Sequence, residues 1–187
     1  MYNPDIHHRR SIRLREYDYS KAGLYFLTIC TQHRQLLFGS ITNGNMILND
    51  PGHMVATQWR ELSIRFDGMI RLHEYIVMPN HFHGIIELVG AYPCGRPLLQ
   101  DDQLGKTAPH IGNIVGAFKS ITTTKYIEYV KQNDWKPFEK RIWQRNYHEH
   151  IIRDESAYLN ITNYIKTNPE RWIDDCYHIS TAIILVK

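Results

Sequence analysis

The sequence predicts an α+β protein in which a central antiparallel sheet is covered by helices. Three observations carry that expectation. Residues 74–89 hold two apolar, strand-favouring runs split by Met78-Pro79-Asn80, where proline fixes φ and removes a ladder donor and asparagine suits a turn. Two stretches, one opening at Asn49-Asp50-Pro51 and one at Ile111, space their apolar residues at helical intervals. Strand and helix signals follow one another as strand, helix, hairpin, helix, strand and helix, with no internal repeat and no low-complexity tract.

Taken in order, residues 1–21 are polar and basic, with five Arg or Lys against three acids. They read as a solvated tail or as an arm that touches nucleic acid through Arg13 and Arg15. Residues 24–31 are apolar almost throughout and rich in aromatic and β-branched side chains, which places a strand centrally in the sheet. Residues 36–39 and 45–48 are expected to pair around Thr42-Asn43-Gly44, because Asn-Gly accepts the positive φ angles of a tight turn. Asn49 or Asp50 caps a helix with Pro51 in its first turn, and Met54, Val55, Trp59, Leu62 and Phe66 give its apolar stripe.

Residues 69–77 and 82–89 are then the two central strands. Residues 90–110 carry scattered Gly and Pro without periodicity and read as a mobile surface loop. A second helix over 111–131 buries Ile114, Val115, Phe118, Ile121, Thr122, Tyr126 and Val130. The last helix starts at Asp154-Glu155-Ser156, whose acids suit the positive end of its dipole. It stops at Asn168, because Pro169 disfavours helical geometry in the residue before it. Residues 174–187 stay unplaced, and the 187-residue chain is expected to form one domain.

Composition narrows the function classes. Hydrophobic residues make up 43% and charged residues 22%, the balance of a soluble globular protein, and a formal charge of +3 is compatible with nucleic acid. Cys30, Cys94 and Cys176 are odd in number and form no C-x-x-C pair, so they read as reduced thiols in a reducing compartment. No apolar run approaches the roughly 18–20 residues of a membrane span, and the N-terminus lacks a signal-peptide core. A cytoplasmic protein without membrane contact is expected.

Chemistry concentrates in four places. Strand alternation puts His81, His83, Ile85 and Glu87 on one side, with Phe82, Gly84, Ile86 and Leu88 on the buried other. Two imidazoles so placed can reach one metal ion; a pair of surface histidines is the plain alternative. On the last helix, Tyr164 and Asn168 lie four apart and therefore stack on one side, at the edge of a stripe of Tyr158, Ile161, Thr162 and Ile165. Residues 119–145 hold seven Lys or Arg, including Lys119, Lys125 and Arg145, against three acids, interleaved with aromatics. That composition suits nucleic acid, and equally suits a solvated helix face beside core aromatics. His148-Glu149-His150 is a second histidine pair on a strand-like stretch, without a further ligand at helpful spacing, and reads as a structural or DNA-contacting segment.

The run YIVMPNHFHGIIEL resembles the HUH single-strand DNA nucleases and looks most like their single-tyrosine transposases, in the REP-associated tyrosine transposase branch. NYIKTNPERW is similar to that family's Tyr-x-x-x-Asn helix, and IWQRNYHEHIIRDE, YFLTICTQHR, LLFG and IGNIVGAFKS also look like its patterns. The resemblance covers residues 10 to 172 or so and leaves 174–187 outside it. It implies a ferredoxin-like (RRM-like) core, Tyr164 as nucleophile, and a metal site of His81, His83 and Asn168 holding Mg²⁺ or Mn²⁺. It further implies cleavage of single-stranded DNA beside a hairpin through a 5′-phosphotyrosine. Two imidazoles by themselves suit zinc or a late transition metal, whereas oxygen ligands suit magnesium or manganese. Two other classes stay open: a non-catalytic nucleic-acid-binding module on the same fold, and a metal-dependent hydrolase using His81 and His83 without a covalent tyrosine. Monomer and homodimer are not distinguished.

Overall fold

Turn and cap chemistry sets the element boundaries in the computed structural model, which describes residues 22–89 and 109–178. The N-terminal arm with Arg13 and Arg15, nearly all of the 90–110 loop and the tail beyond His178 lie outside the described residues. The elements are β1 (Gly23–Cys30), β2 (Gly39–Thr42), β3 (Asn45–Leu48), α1 (Asp50–Arg65), β4 (Ile70–Met78), β5 (His81–Leu88), α2 (Ile111–Gln132), β6 (His148–Ile152) and α3 (Glu155–Thr167). Short 3-10 turns follow at Gln32–Arg34 and Trp172–Asp174.

Asn43 and Gly44 take positive φ angles of 50° and 73° and close β2 onto β3, as the Asn-Gly pair requires. The first strand of that hairpin starts at Gly39; Leu37 and Phe38 instead turn inward and donate their backbone N–H groups to the Pro79 carbonyl. Asn49 caps α1 by accepting from the Gly52 N–H at 2.9 Å, and Asp154 caps α3 by accepting from Ala157 N–H at 2.8 Å. Helix α3 ends at Thr167, one residue before Asn168-Pro169.

The main sheet has strand order β4-β5-β1-β6, and all neighbours are antiparallel. Strands β1 and β4, joined through α1, flank β5, while β5 and β6, joined through α2, flank β1. Two β-α-β units are thus interleaved. The central strands are β1 and β5. The expectation that residues 69–77 form a central strand is corrected here: β4 is an edge strand, and its Arg71, His73 and Glu74 are exposed or half-buried, as an edge tolerates.

Helices α1 and α2 cover one face. There Trp59 lies 4.6 Å from Phe82 and 5.5 Å from Phe118 between ring centroids, and Phe82 and Phe118 are 5.2 Å apart. Burying each such ring contributes about 1.5–3 kcal/mol. A side chain at residue 84 would come within 2.8 Å of Phe82 and Trp59, so glycine is required for this closeness. Helix α3 covers part of the opposite face, where Ile85, Ile152 and Ile165 form a smaller cluster with Phe26, Tyr158, Ile161 and Tyr164 packed against it. Among the described residues, no helix is long and apolar enough to cross a membrane.

Candidate active site

Because β5 alternates, His81 and His83 leave the core behind Phe82 and emerge on the α3 face, yet both are buried, at 0% and 1% exposure. Their ring centroids are 4.5 Å apart. The surface-pair alternative therefore does not describe them.

Hydrogen bonds set the ring of His81. The Asn80 amide donates to the Tyr177 carbonyl at 2.8 Å and to the Arg34 carbonyl at 3.3 Å, which turns its Oδ1 toward His81. That oxygen only accepts, so His81 Nδ1, 2.9 Å away, carries the proton. His81 Nε2 is left as a bare lone pair, buried and without a hydrogen-bond partner. His83 Nδ1 is 2.9 Å from the Thr28 hydroxyl, and its Nε2 faces the Tyr164 hydroxyl at 3.4 Å. Burial, then the nearby Arg34 charge, lowers His81 to about 3; burial and His81 hold His83 well below the usual imidazole value. Both rings are neutral at physiological pH, the form that coordinates a metal.

Helix α3 supplies Tyr164 and Asn168. The Tyr164 ring meets His83 at 5.3 Å and Phe26 at 6.1 Å, both edge-on. Burial first, with the negative charge of Asp175 second, raises its hydroxyl to about 12, so it rests as a neutral phenol. Asn168, 1% exposed, donates from Nδ2 to Asp175 Oδ2 at 3.1 Å, while its Oδ1 is buried without a partner. Thus His81, His83, Tyr164 and Asn168, distant in sequence, converge at one place.

One member of this place was not foreseen. Asp175 follows the Trp172–Asp174 turn, and one of its oxygens lies with a nitrogen of His81 and of His83 so that all three atoms are within 4.8 Å of one another. This group could hold a metal ion. The donor chemistry fits: two neutral imidazoles and a carboxylate, beside an orphaned imidazole nitrogen and an orphaned amide oxygen. Asp175 sits in the stretch left unplaced from sequence, and the only cue was its position shortly beyond the Tyr-Asn helix. The segment is latched down: Arg34 donates to the Cys176 carbonyl at 2.7 Å and lies over the Tyr177 ring, which is itself 4.8 Å from His81.

The basic candidates fall elsewhere. Lys119 donates to the carbonyls of Gln144, Arg145 and Asn146 at 2.8, 3.3 and 3.1 Å, and burial lowers its amine to about 8. Its amine fastens a loop. Lys125 is half-buried on α2, behind the sheet from His81 and His83, and the Arg145 side chain is exposed.

No family model matches the chain. It is 20% identical to a solved REP-associated tyrosine transposase bound to a REP hairpin, with a TM-score of 0.49 over 90% of this chain and 76% of that one. A second solved chain, from Deinococcus radiodurans, is 17% identical, with a TM-score of 0.43 over 83% of this chain and 96% of that one. An uncharacterized protein of Haemophilus influenzae is 44% identical over 183 residues, spanning 95% of this chain and 97% of its own length. At that identity and coverage, the chain belongs to the same protein family as the Haemophilus influenzae protein.

Proposed function

We propose that this protein is a metal-dependent tyrosine transposase: a single-strand DNA endonuclease and strand transferase that works through a covalent 5′-phosphotyrosine at Tyr164. The observation that carries the reading is the hydroxyl of half-buried Tyr164, 3.4 Å from His83, beside the group formed by buried His81 and His83 with half-buried Asp175. A phenol held beside a cation site can attack a phosphate bound there, and phenolate is a good enough leaving group for the step to reverse. Reversibility is what strand transfer needs.

In this reading His81, His83 and Asp175 would hold Mg²⁺ or Mn²⁺, with the Asn168 amide holding Asp175 in place. The ion supplies polarisation of the scissile phosphate. Tyr164 Oη forms a bond to phosphorus as the bond from phosphorus to the 3′ oxygen breaks. The phenol proton passes to solvent and the 3′ oxygen leaves as a hydroxyl. Asp175, whose charge now helps to keep the phenol protonated, is the group a cation would neutralise.

The test is to mix the protein with a hairpin-flanked single-stranded oligonucleotide and Mn²⁺ or Mg²⁺, then denature. A covalent adduct that maps by mass spectrometry to the Tyr164 peptide, and that EDTA prevents, is the expected result. Free cleavage products without an adduct would favour a metal-dependent hydrolase instead. Binding without cleavage would favour a non-catalytic module.

A further inference from the structure

The second histidine pair, on β6, has a place beside this site that the proposed chemistry does not use. In antiparallel pairing, residues directly opposite share a face. Thr28 of β1 faces His83 on one side and His148 on the other, and Phe26 faces Ile85 and His150. Two rows therefore run across the sheet on the site face: His148, Thr28, His83, and His150, Phe26, Ile85. His148 stands two strands from His83, roughly 10 Å.

Among the described residues, strand β6 is the edge of the sheet opposite β4, and its His148 and His150 are both exposed, whereas Ile152 at its end is buried in the α3 cluster. The strand is held firmly at both ends. Lys119 fastens residues 144–146 just before it, and Ile152 anchors it beneath α3. Between the edge and the site lies the half-buried Phe26 ring, 5.2 Å from His83. Among the described residues, the group of His, Cys, Asp or Glu close enough to hold a metal is His81, His83 and Asp175, and the β6 pair is not part of it.

We propose that His148 and His150 form a phosphodiester-binding track for the DNA strand next to the scissile phosphate. Each ring presents an N–H donor to a phosphate oxygen, and two such donors about 7 Å apart along a strand match one nucleotide step of an extended backbone. Partly exposed Phe26 offers a face for the intervening base. This rests on the proposed reaction site but not on catalysis by it.

The test is a coupling cycle read by binding alone. Tyr164→Phe protein, metal-free, is titrated with single-stranded oligonucleotides bearing one neutral methylphosphonate at successive positions around the cleavage point. The same series is repeated with His148→Asn and His150→Asn added. At two adjacent positions, neutralising the phosphate should weaken binding of the parent by about tenfold and leave the histidine variant unchanged. Equal sensitivity of parent and variant overturns the track, as does the absence of single-strand binding. If the variant merely aggregates while the soluble fraction binds as the parent does, the pair guards a sheet edge and the proposal fails. Failure of the covalent reading would show separately, as no adduct with unmodified Tyr164 protein.

Discussion

The two faces of β5 are built from neighbouring residues to opposite rules. Phe82 points into the rings of Trp59 and Phe118 from α1 and α2, within the main hydrophobic cluster, where Trp59 Nε1 is the polar atom buried without a partner. His81 and His83, one residue away on either side, point under α3 into a space where His81 Nε2 and Asn168 Oδ1 are buried without partners. The first face stabilises the fold by burial. The second gives stability up, since an unsatisfied buried polar atom costs about 1–3 kcal/mol. Two such atoms with Asp175 beside them make sense when a cation is the missing partner. The difference teaches that the apolar face is the scaffold against which the polar face can be left incomplete.

The largest expected effect breaks the polar face chemically and leaves it physically intact. Tyr164→Phe keeps the ring against Phe26 and His83, and removes a hydroxyl whose hydrogen bond to His83 is 3.4 Å long. The covalent adduct should disappear on a denaturing gel, while stability shifts by about 1 kcal/mol or less. An adduct that persists would remove Tyr164 from the reaction.

On the apolar face the order of effects reverses. Phe82→Ala deletes the ring between Trp59 and Phe118 and should cost about 3–5 kcal/mol in urea unfolding. A loss below about 1 kcal/mol would mean that this cluster is not the scaffold.

A third prediction uses pH to read the two faces together in metal-free protein. His81 and His83 stay neutral when folded, His81 down to about pH 3, but titrate near 6.5 when unfolded. Below pH 6.5 the unfolded chain binds protons that the folded chain refuses, so stability falls as pH drops, by up to about 1.4 kcal/mol per pH unit for each histidine. Melts between pH 7 and 4 should show a steeper decline for the native sequence than for His81→Gln with His83→Gln. Parallel declines would mean that these rings protonate freely in the folded state.

The smallest effect separates Asp175 from Asn168. Asp175→Asn removes the charge and should weaken Mn²⁺ binding, measured by calorimetry, by at least about tenfold. Asn168→Ala keeps the carboxylate's charge and removes only the amide that positions it at 3.1 Å, and should do less. The reverse order would make Asn168 the ligand and Asp175 a bystander.

Much of this was legible in the chain. The alternation of residues 81–88, the cap at Asp154 and the stop at Pro169 are local patterns, and the structure has a strand and a capped helix where those patterns point. Less legible were β4 at an edge, since an apolar run looks the same at the centre or the rim, and Lys119, whose charge suggests DNA but whose amine is taken by three carbonyls.

By itself, then, the sequence determined the elements and which side of β5 would face the apolar core, because backbone periodicity is a property of consecutive residues. The tertiary structure alone decided that Asp175 joins His81 and His83, and that Asn80 turns its amide to the carbonyl of Tyr177, 97 residues away, and so sets the His81 ring. It also set His148 in the same row as His83 through Thr28. Those are meetings between distant segments. No period in the sequence encodes them, because they depend on strand order and on how the chain closes over the sheet.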